Sequence, residues 1–295
     1  MPNLALVPKT NLSSFRKIAI GTWRTTKDPT VYGALVIEID DTLAYIDRFR
    51  AATGRRLTLT HLMAKVCGHV MQQLPDANAV LRFGRIYMRQ DIGVFFQVAL
   101  EDPVTGEVDL SGVTVRDPEK KSMSEILDDF EKAAKKVRAG KDEEKEKTRQ
   151  TFKMLPGWAT GPILDVISFL TYTLNLDLRW AGLPKDPFGS MMVTNVGSLG
   201  LEEAYVPLVP YSKVPLLIAM GATARELQPG EGDKIRVVNT IRLCATFDHR
   251  ILDGAHAAKM AKIVRWSFAH PEEAFGPVPA VAQITANEPV KESAK

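Results

Sequence analysis

The sequence predicts an α/β fold, and three stretches carry that prediction. Leu243, Ala245 and Phe247 alternate with polar or small neighbours, the period of a half-buried strand, and beyond Gly254 apolar residues return at helical spacing at Ala257, Met260, Ile263, Val264 and Phe268. Leu59, Leu62, Met63, Val66 and Val70 trace one face of a helix over Thr58 to Gln73, which Pro75 stops. Ile126, Leu127, Phe130, Ala134 and Val137 form the stripe of an amphipathic helix over Met123 to Arg138 that Gly140 ends. Strand patterns lie between these helices, and a length of 295 residues permits either one large α/β domain or two smaller ones.

In chain order, residues 1–15 read as an arm, because Pro2, Pro8, Asn11 and a serine pair interrupt any regular pattern. Arg16 to Thr26 fits a short helix or strand. Val31 to Asp40 reads as a strand, and Asp41 to Thr53 as a helix closed by Gly54. Val80 to Tyr87 and Ile92 to Leu100 read as strands on either side of a polar turn, and Asp109 to Val115 as a further strand after the turn at Asp102 to Gly106. The charge run Lys141 to Arg149 mixes signs, as a solvated helix or loop does. From Pro277 onward Pro, Ala, Lys and Glu dominate and periodicity is lost, so residues 277–295 are expected to be a disordered tail.

Composition narrows the class. A hydrophobic content of 45% and a charged content of 25% are those of an ordinary soluble protein, and a net charge of +3 is too small to argue for nucleic acid. Cys67 and Cys244 lie in apolar patterns, which suits buried thiols in a reducing compartment. The apolar run at the N-terminus is too short for a secretory signal, so a cytoplasmic location is expected, with no transmembrane segment. His61 and His69 share one helix, but no third ligand is placed beside them and no metal is expected.

The chemistry concentrates where the last strand turns into its helix. His249 sits in that turn, flanked by Asp248 and Arg250, with Asp253 four positions later and Gly254 after it. Imidazole exchanges protons near neutral pH, and a nearby carboxylate can orient the ring or anchor the turn.

Asp248-His-Arg-Ile-Leu-Asp-Gly254 resembles the signature of the acyltransferase core of the 2-oxo acid dehydrogenase complexes, dihydrolipoamide acyltransferases that share their fold with chloramphenicol acetyltransferase. Other blocks agree in order: Arg16-Lys-Ile-Ala19, Asp91 to Leu100, Lys120 to Ile126, Met192-Val-Thr-Asn-Val-Gly197 and Pro215 to Ala222. The resemblance implies one catalytic domain over 16–276, a mixed sheet with helices packed on one face, and assembly as a homotrimer or a larger core. It also implies acyl transfer between thiols, with coenzyme A or a lipoyl group brought by another protein as the carrier. In that reading His249 is the general base, Thr194 the hydroxyl that stabilises the oxyanion, and Asp253 an anchor of the turn through an ion pair with Arg16. Thr194 stands where the family more often has serine, and Asp253 could equally cap the helix that follows. A trimeric scaffold that has lost its reaction is the rival reading, and acylation of a hydroxyl or amine is another. The resemblance leads one to expect lipoyl and subunit-binding domains ahead of the core, and none is seen, so a free-standing enzyme or one with a dehydrogenase-complex partner is expected.

Residues 152–183 interrupt the resemblance. They are apolar and aromatic but broken by Gly157, Gly161, Pro162 and several charged residues, which predicts a short helical hairpin or a helix plus loop that packs against the domain or a neighbouring subunit, forms an altered wall or lid over the acyl pocket, or meets a lipid surface or partner protein.

Overall fold

The computed structural model describes residues 2–10, 29–101, 108–138, 157–230 and 234–279. Six strands form the main sheet: β2 (Thr30–Glu38), β5 (Gly93–Glu101), β6 (Val108–Arg116), β7 (Met191–Asn195), β8 (Leu216–Pro229) and β9 (Ile235–Asp248), in the order β2-β9-β8-β7-β5-β6. β7 runs parallel to both β5 and β8 while the other pairs are antiparallel, so the sheet is mixed. A smaller antiparallel sheet holds β1 (Leu6–Pro8), β4 (Arg85–Arg89) and β3 (Ala79–Arg82) in that order.

Helices α1 (Asp40–Thr53), α2 (Leu59–Gln73), α3 (Met123–Arg138), α5 (Gly254–Ala269) and α6 (Pro271–Phe275) form a layer on one face of the large sheet, while α4 (Gly157–Ser168) packs on the turn Pro210–Ser212 and the turn that follows it, Phe169–Thr173, meets β3 of the small sheet. The layer is knit by specific contacts. Thr42 Oγ1 donates to the Phe268 carbonyl at 2.7 Å, joining α1 to α5, and the Phe130 ring meets Phe96 of β5 at 4.9 Å and His61 of α2 at 4.7 Å. α1 ends with Gly54 at φ 67°, the left-handed cap that glycine adopts without steric cost. α2 opens with a capping box in which Thr58 and His61 exchange hydrogen bonds. Burial is the main cause, and the Arg55 charge a lesser one, that pushes the His61 imidazole down to about 4. Cys67 and Cys244 are buried free thiols, as their apolar surroundings predict.

Two expectations need correction, and one element is an addition to them. The N-terminal arm is not featureless, since Leu6–Pro8 pairs with β4. Val80 to Tyr87 is a hairpin of two strands rather than one, because Phe83 and Gly84 both take positive φ, 47° and 71°, and reverse the chain. The short helix Pro271–Phe275, which buries Phe275, has no counterpart in the predicted elements.

The inserted segment takes the helix-plus-loop form: α4 passes into a π-helical turn at Phe169–Thr173 and then into irregular chain with one 3-10 turn at Arg179–Ala181. It grips the start of the chain. The Asn3 amide donates to the Asn175 carbonyl at 2.9 Å, Asn175 bonds both backbone groups of Leu4, and Tyr172 packs on Leu4 and Val80. Burial is partial, however: Trp180 is 84% exposed and Val166 56%, so the expected burial of the whole apolar content does not occur within one chain.

Candidate active site

β9 carries the histidine to a clamped position. It pairs with β2 on one side and β8 on the other as far as Asp248, and the next two amides continue outward, Asp248 to the Pro215 carbonyl at 2.8 Å and His249 to the Pro29 carbonyl at 2.6 Å. The turn then closes on itself. The Asp248 carboxylate accepts from the Arg250 amide at 3.0 Å and from its guanidinium at 2.9 and 2.6 Å, and both side chains are buried. Removing one partner of such a pair costs about 3–5 kcal/mol, because the remaining charge is left in a poor dielectric.

Within this turn the His249 Nδ1 lies 2.8 Å from the Leu252 carbonyl oxygen. A carbonyl only accepts, so Nδ1 carries the proton in the neutral ring and Nε2 keeps the lone pair. That is the tautomer a general base needs. The orienting atom is a backbone oxygen, for which no side-chain pattern in the sequence could give a signal.

Asp253 is the N-cap of α5: its Oδ1 accepts from the His256 amide at 3.1 Å and faces His256 Nδ1 at 2.6 Å. His256 also reaches Asp76 at 3.4 Å. The structure therefore places Asp253 in the capping role, while Arg16 and its expected ion pair lie outside the described residues.

Thr194 is on β7, paired with Gln97 of β5 and Ala219 of β8. Its neighbour Asn195 donates to Thr60 Oγ1 at 3.0 Å, at the start of α2, so Asn195 faces the helices and Thr194 faces the opposite side of the sheet. Ala219 pairs in turn with Cys244, which pairs with Ala34, and Thr194, Ala219, Cys244 and Ala34 form one row of small side chains across four strands. Ala204 and Val206, from the connection between β7 and β8, cover part of that row. This connection approaches closely at Gly221, where an added Cβ would meet the Glu202 carbonyl oxygen at 2.0 Å.

His249 is five residues beyond Cys244 along β9, and two strand spacings separate β9 from β7. At about 3.4 Å per residue and about 4.8 Å per strand, the two residues of one chain are roughly 20 Å apart. One chain does not bring them together. The insert comes near the histidine turn from another side: α4 packs on the turn Pro210–Ser212 just before β8, and Lys213 feels Asp165 of α4 as well as Asp248 and Arg250. No group of three or more His, Cys, Asp or Glu side chains suited to a metal occurs among the described residues.

Residues 9–154 and 187–276 match the family described as 2-oxoacid dehydrogenases acyltransferase (catalytic domain). The chain belongs to this family. The match leaves out 155–186, the segment that holds α4 and the π-helical turn. Among curated relatives, the lipoamide acyltransferase component of the branched-chain α-keto acid dehydrogenase complex of Bacillus subtilis is 22% identical over 233 residues. A second Bacillus subtilis protein, the dihydrolipoyllysine-residue acetyltransferase component of its acetoin cleaving system, is 24% identical over 218 residues. The alignments take in 78% and 74% of this chain but only 44% and 43% of those proteins, so the chain spans less than half their length. The fold agrees with solved structures. A probable dihydrolipoamide acetyltransferase of Listeria monocytogenes superposes with a TM-score of 0.61 at 16% identity, covering 94% of this chain and 99% of that one. The dihydrolipoamide acetyltransferase of Azotobacter vinelandii gives 0.60 at 18% identity, over 91% and 99% of the two chains.

Proposed function

We propose that this member of the acyltransferase family moves an acyl group between thiols, one belonging to coenzyme A and the other to a lipoyl group carried by a partner protein or to a further acceptor. His249 Nε2 takes the proton of the incoming thiol, whose sulfur attacks the thioester carbonyl. The Thr194 hydroxyl donates to the oxyanion of the tetrahedral intermediate, which collapses by expelling the first thiolate, and the imidazolium returns the proton to it. The observation that carries this reading is the Nδ1 bond to Leu252, which leaves the ring in its proton-accepting tautomer.

The separation of His249 and Thr194 within one chain supports a site formed between subunits, the histidine from one and the hydroxyl from its neighbour, in a homotrimer. Tyr32, Leu199, Leu201 and Tyr205 supply exposed apolar surface for such an assembly, with Tyr32 on the helix-free face and its ring 5.7 Å from that of Tyr205. The insert, packed beside the Pro210–Ser212 turn, becomes a wall of the acyl pocket in this arrangement.

A mixed assembly tests the shared site. Chains bearing His249→Ala, inactive alone, are combined with inactive Thr194→Ala chains; partial recovery of acyl transfer from a panel of acyl-coenzyme A donors is expected. No recovery from co-assembled subunits, or a monomer by light scattering in an active preparation, would sink the shared site.

A further inference from the structure

Away from the histidine turn, a cavity of about 370 Å³ opens between the first residues of the chain and the end of the insert, lined by Asn3, Arg89, Asp91, Arg116, Lys185 and Asp186 among others. At its inner end the Asp186 Oδ2 faces two guanidiniums: Arg116 Nη1 at 2.8 Å, and Arg89 Nη2 in contact. The Arg89 side chain is 3% exposed and that of Asp186 8%. Two cations on one carboxylate leave a single positive charge uncompensated in a mostly buried cluster. Of the seven buried side-chain polar atoms that have no hydrogen-bond partner among the described residues, three gather here: Arg89 Nη1, Asp186 Oδ1 and the hydroxyl of the adjacent Tyr172. Tyr172 lies close enough that, after burial, the Asp186 charge pushes its phenol up, while Arg89 and Arg116 pull the other way.

A buried polar atom left unpaired destabilises the fold, and three gathered in one cluster point to an occupant that pairs them. The cavity exceeds by more than an order of magnitude the roughly 10–15 Å³ that one water requires. Its chemistry is specific. Arg89 Nη1 can only donate and so needs an acceptor oxygen, which the surplus positive charge favours as anionic; Asp186 Oδ1 can only accept and so needs an O–H or N–H; the tyrosine hydroxyl can serve either way. Lys185 adds a positive charge at the exposed rim. Of the two rim carboxylates, Asp117 is already paired with Lys120 at 2.8 Å, and Asp91 disfavours a highly charged guest.

We propose that this cavity binds a small oxyanion that also carries a hydroxyl, a hydrogen phosphate or a 2-hydroxy carboxylate, with its anionic oxygens on Arg89 and Lys185 and its hydroxyl donating to Asp186. The site stands apart from the acyl-transfer residues and does not depend on the reaction assigned to them.

The test is calorimetry and thermal unfolding of the full chain with sodium phosphate and with sodium L-malate, against sodium chloride at equal ionic strength. One of the two oxyanions raises the unfolding temperature beyond chloride, and which one does so identifies the guest. Lys185→Ala, at the exposed rim, unfolds like the parent without ligand and weakens binding by roughly threefold or more; Arg89→Met abolishes it. The proposal is overturned if neither anion protects beyond chloride, or if Lys185→Ala binds with the parent's affinity.

Discussion

His249 and Thr194 stand on strands separated by β8, with His249 five residues beyond the row in which Thr194, Ala219 and Cys244 lie side by side. A proton acceptor and an oxyanion donor must both reach atoms of one small reacting group, which a gap of roughly 20 Å forbids within a chain. The two side chains should therefore be separately essential. His249→Ala is expected to lower turnover on the order of 100-fold or more by removing the general base. Thr194→Val removes one donor at nearly constant volume, with a loss also on the order of 100-fold, and Thr194→Ser should keep most of the rate. Steady-state kinetics with the responsive acyl-coenzyme A checks all three, and full rate in both His249→Ala and Thr194→Val would refute the assigned roles.

The Asp248–Arg250 pair is expected to act on stability first and on activity through the turn. Asp248→Asn should lower stability by about 3 kcal/mol, since it removes the carboxylate charge that faces a buried guanidinium. Adding Arg250→Met should recover part of that loss, because the buried cation that faced Asp248 is then gone as well. Urea unfolding of the two variants checks this: a double variant less stable than Asp248→Asn would show that the arginine contributes chiefly through other contacts.

What was legible in the sequence was set by local periodicity and by one motif. The strand, turn and helix around His249 could be read because alternation at Leu243, Ala245 and Phe247 gives way at Gly254 to helical spacing, and both signals are local. Asp253 could be read in two ways, and the cap observed at the His256 amide was one of them. The hairpin at Phe83–Gly84 was hidden because the turn that reverses it uses a phenylalanine at positive φ, where Asn or Asp is the usual signal. The Arg89–Asp186–Arg116 cluster was invisible for a different reason: its members are 27 and 70 residues apart in sequence, each an ordinary charged residue in its own segment, and only the fold brings them together. The grip of Asn175 on Leu4 is of the same kind.

His61 gives a pH dependence whose sign follows from its burial. Its folded value near 4 lies below the ordinary 6.5, so between these values the unfolded chain binds a proton that the folded chain does not. Stability then rises with pH across that window: the contribution is fully present above about 6.5 and is lost as pH falls toward 4. The shift corresponds to about 3 kcal/mol at most, reduced by the ring's partial exposure. The unfolding temperature should drop between pH 7 and 4.5, and His61→Asn, which can keep the cap acceptor without titrating, should flatten the drop. His69, also held low by burial, retains part of the slope. An identical pH profile in His61→Asn would remove the assignment.

The insert should prove to be both a clasp on the N-terminal strand and a wall of the acyl pocket, and two substitutions separate these roles. Asn175 sits at φ 59°, a left-handed conformation that asparagine tolerates, and bonds both the amide and the carbonyl of Leu4. Asn175→Gly keeps the backbone and loses the side-chain bonds, whereas Asn175→Ala loses the bonds and adds strain. Losses of about 1–2 kcal/mol for glycine and more for alanine are expected, with faster amide exchange at Leu4 to Pro8 and little change in acyl preference. Asp165→Lys on α4 should do the opposite. It reverses the charge facing Lys213, and through that residue the field at the His249 turn, leaving the clasp intact while shifting the ranking of acyl donors. Competition assays with mixed acyl-coenzyme A donors, read beside exchange rates for residues 2–10, distinguish the two effects. If Asp165→Lys leaves the donor ranking unchanged, α4 is packing alone and the pocket-wall role fails.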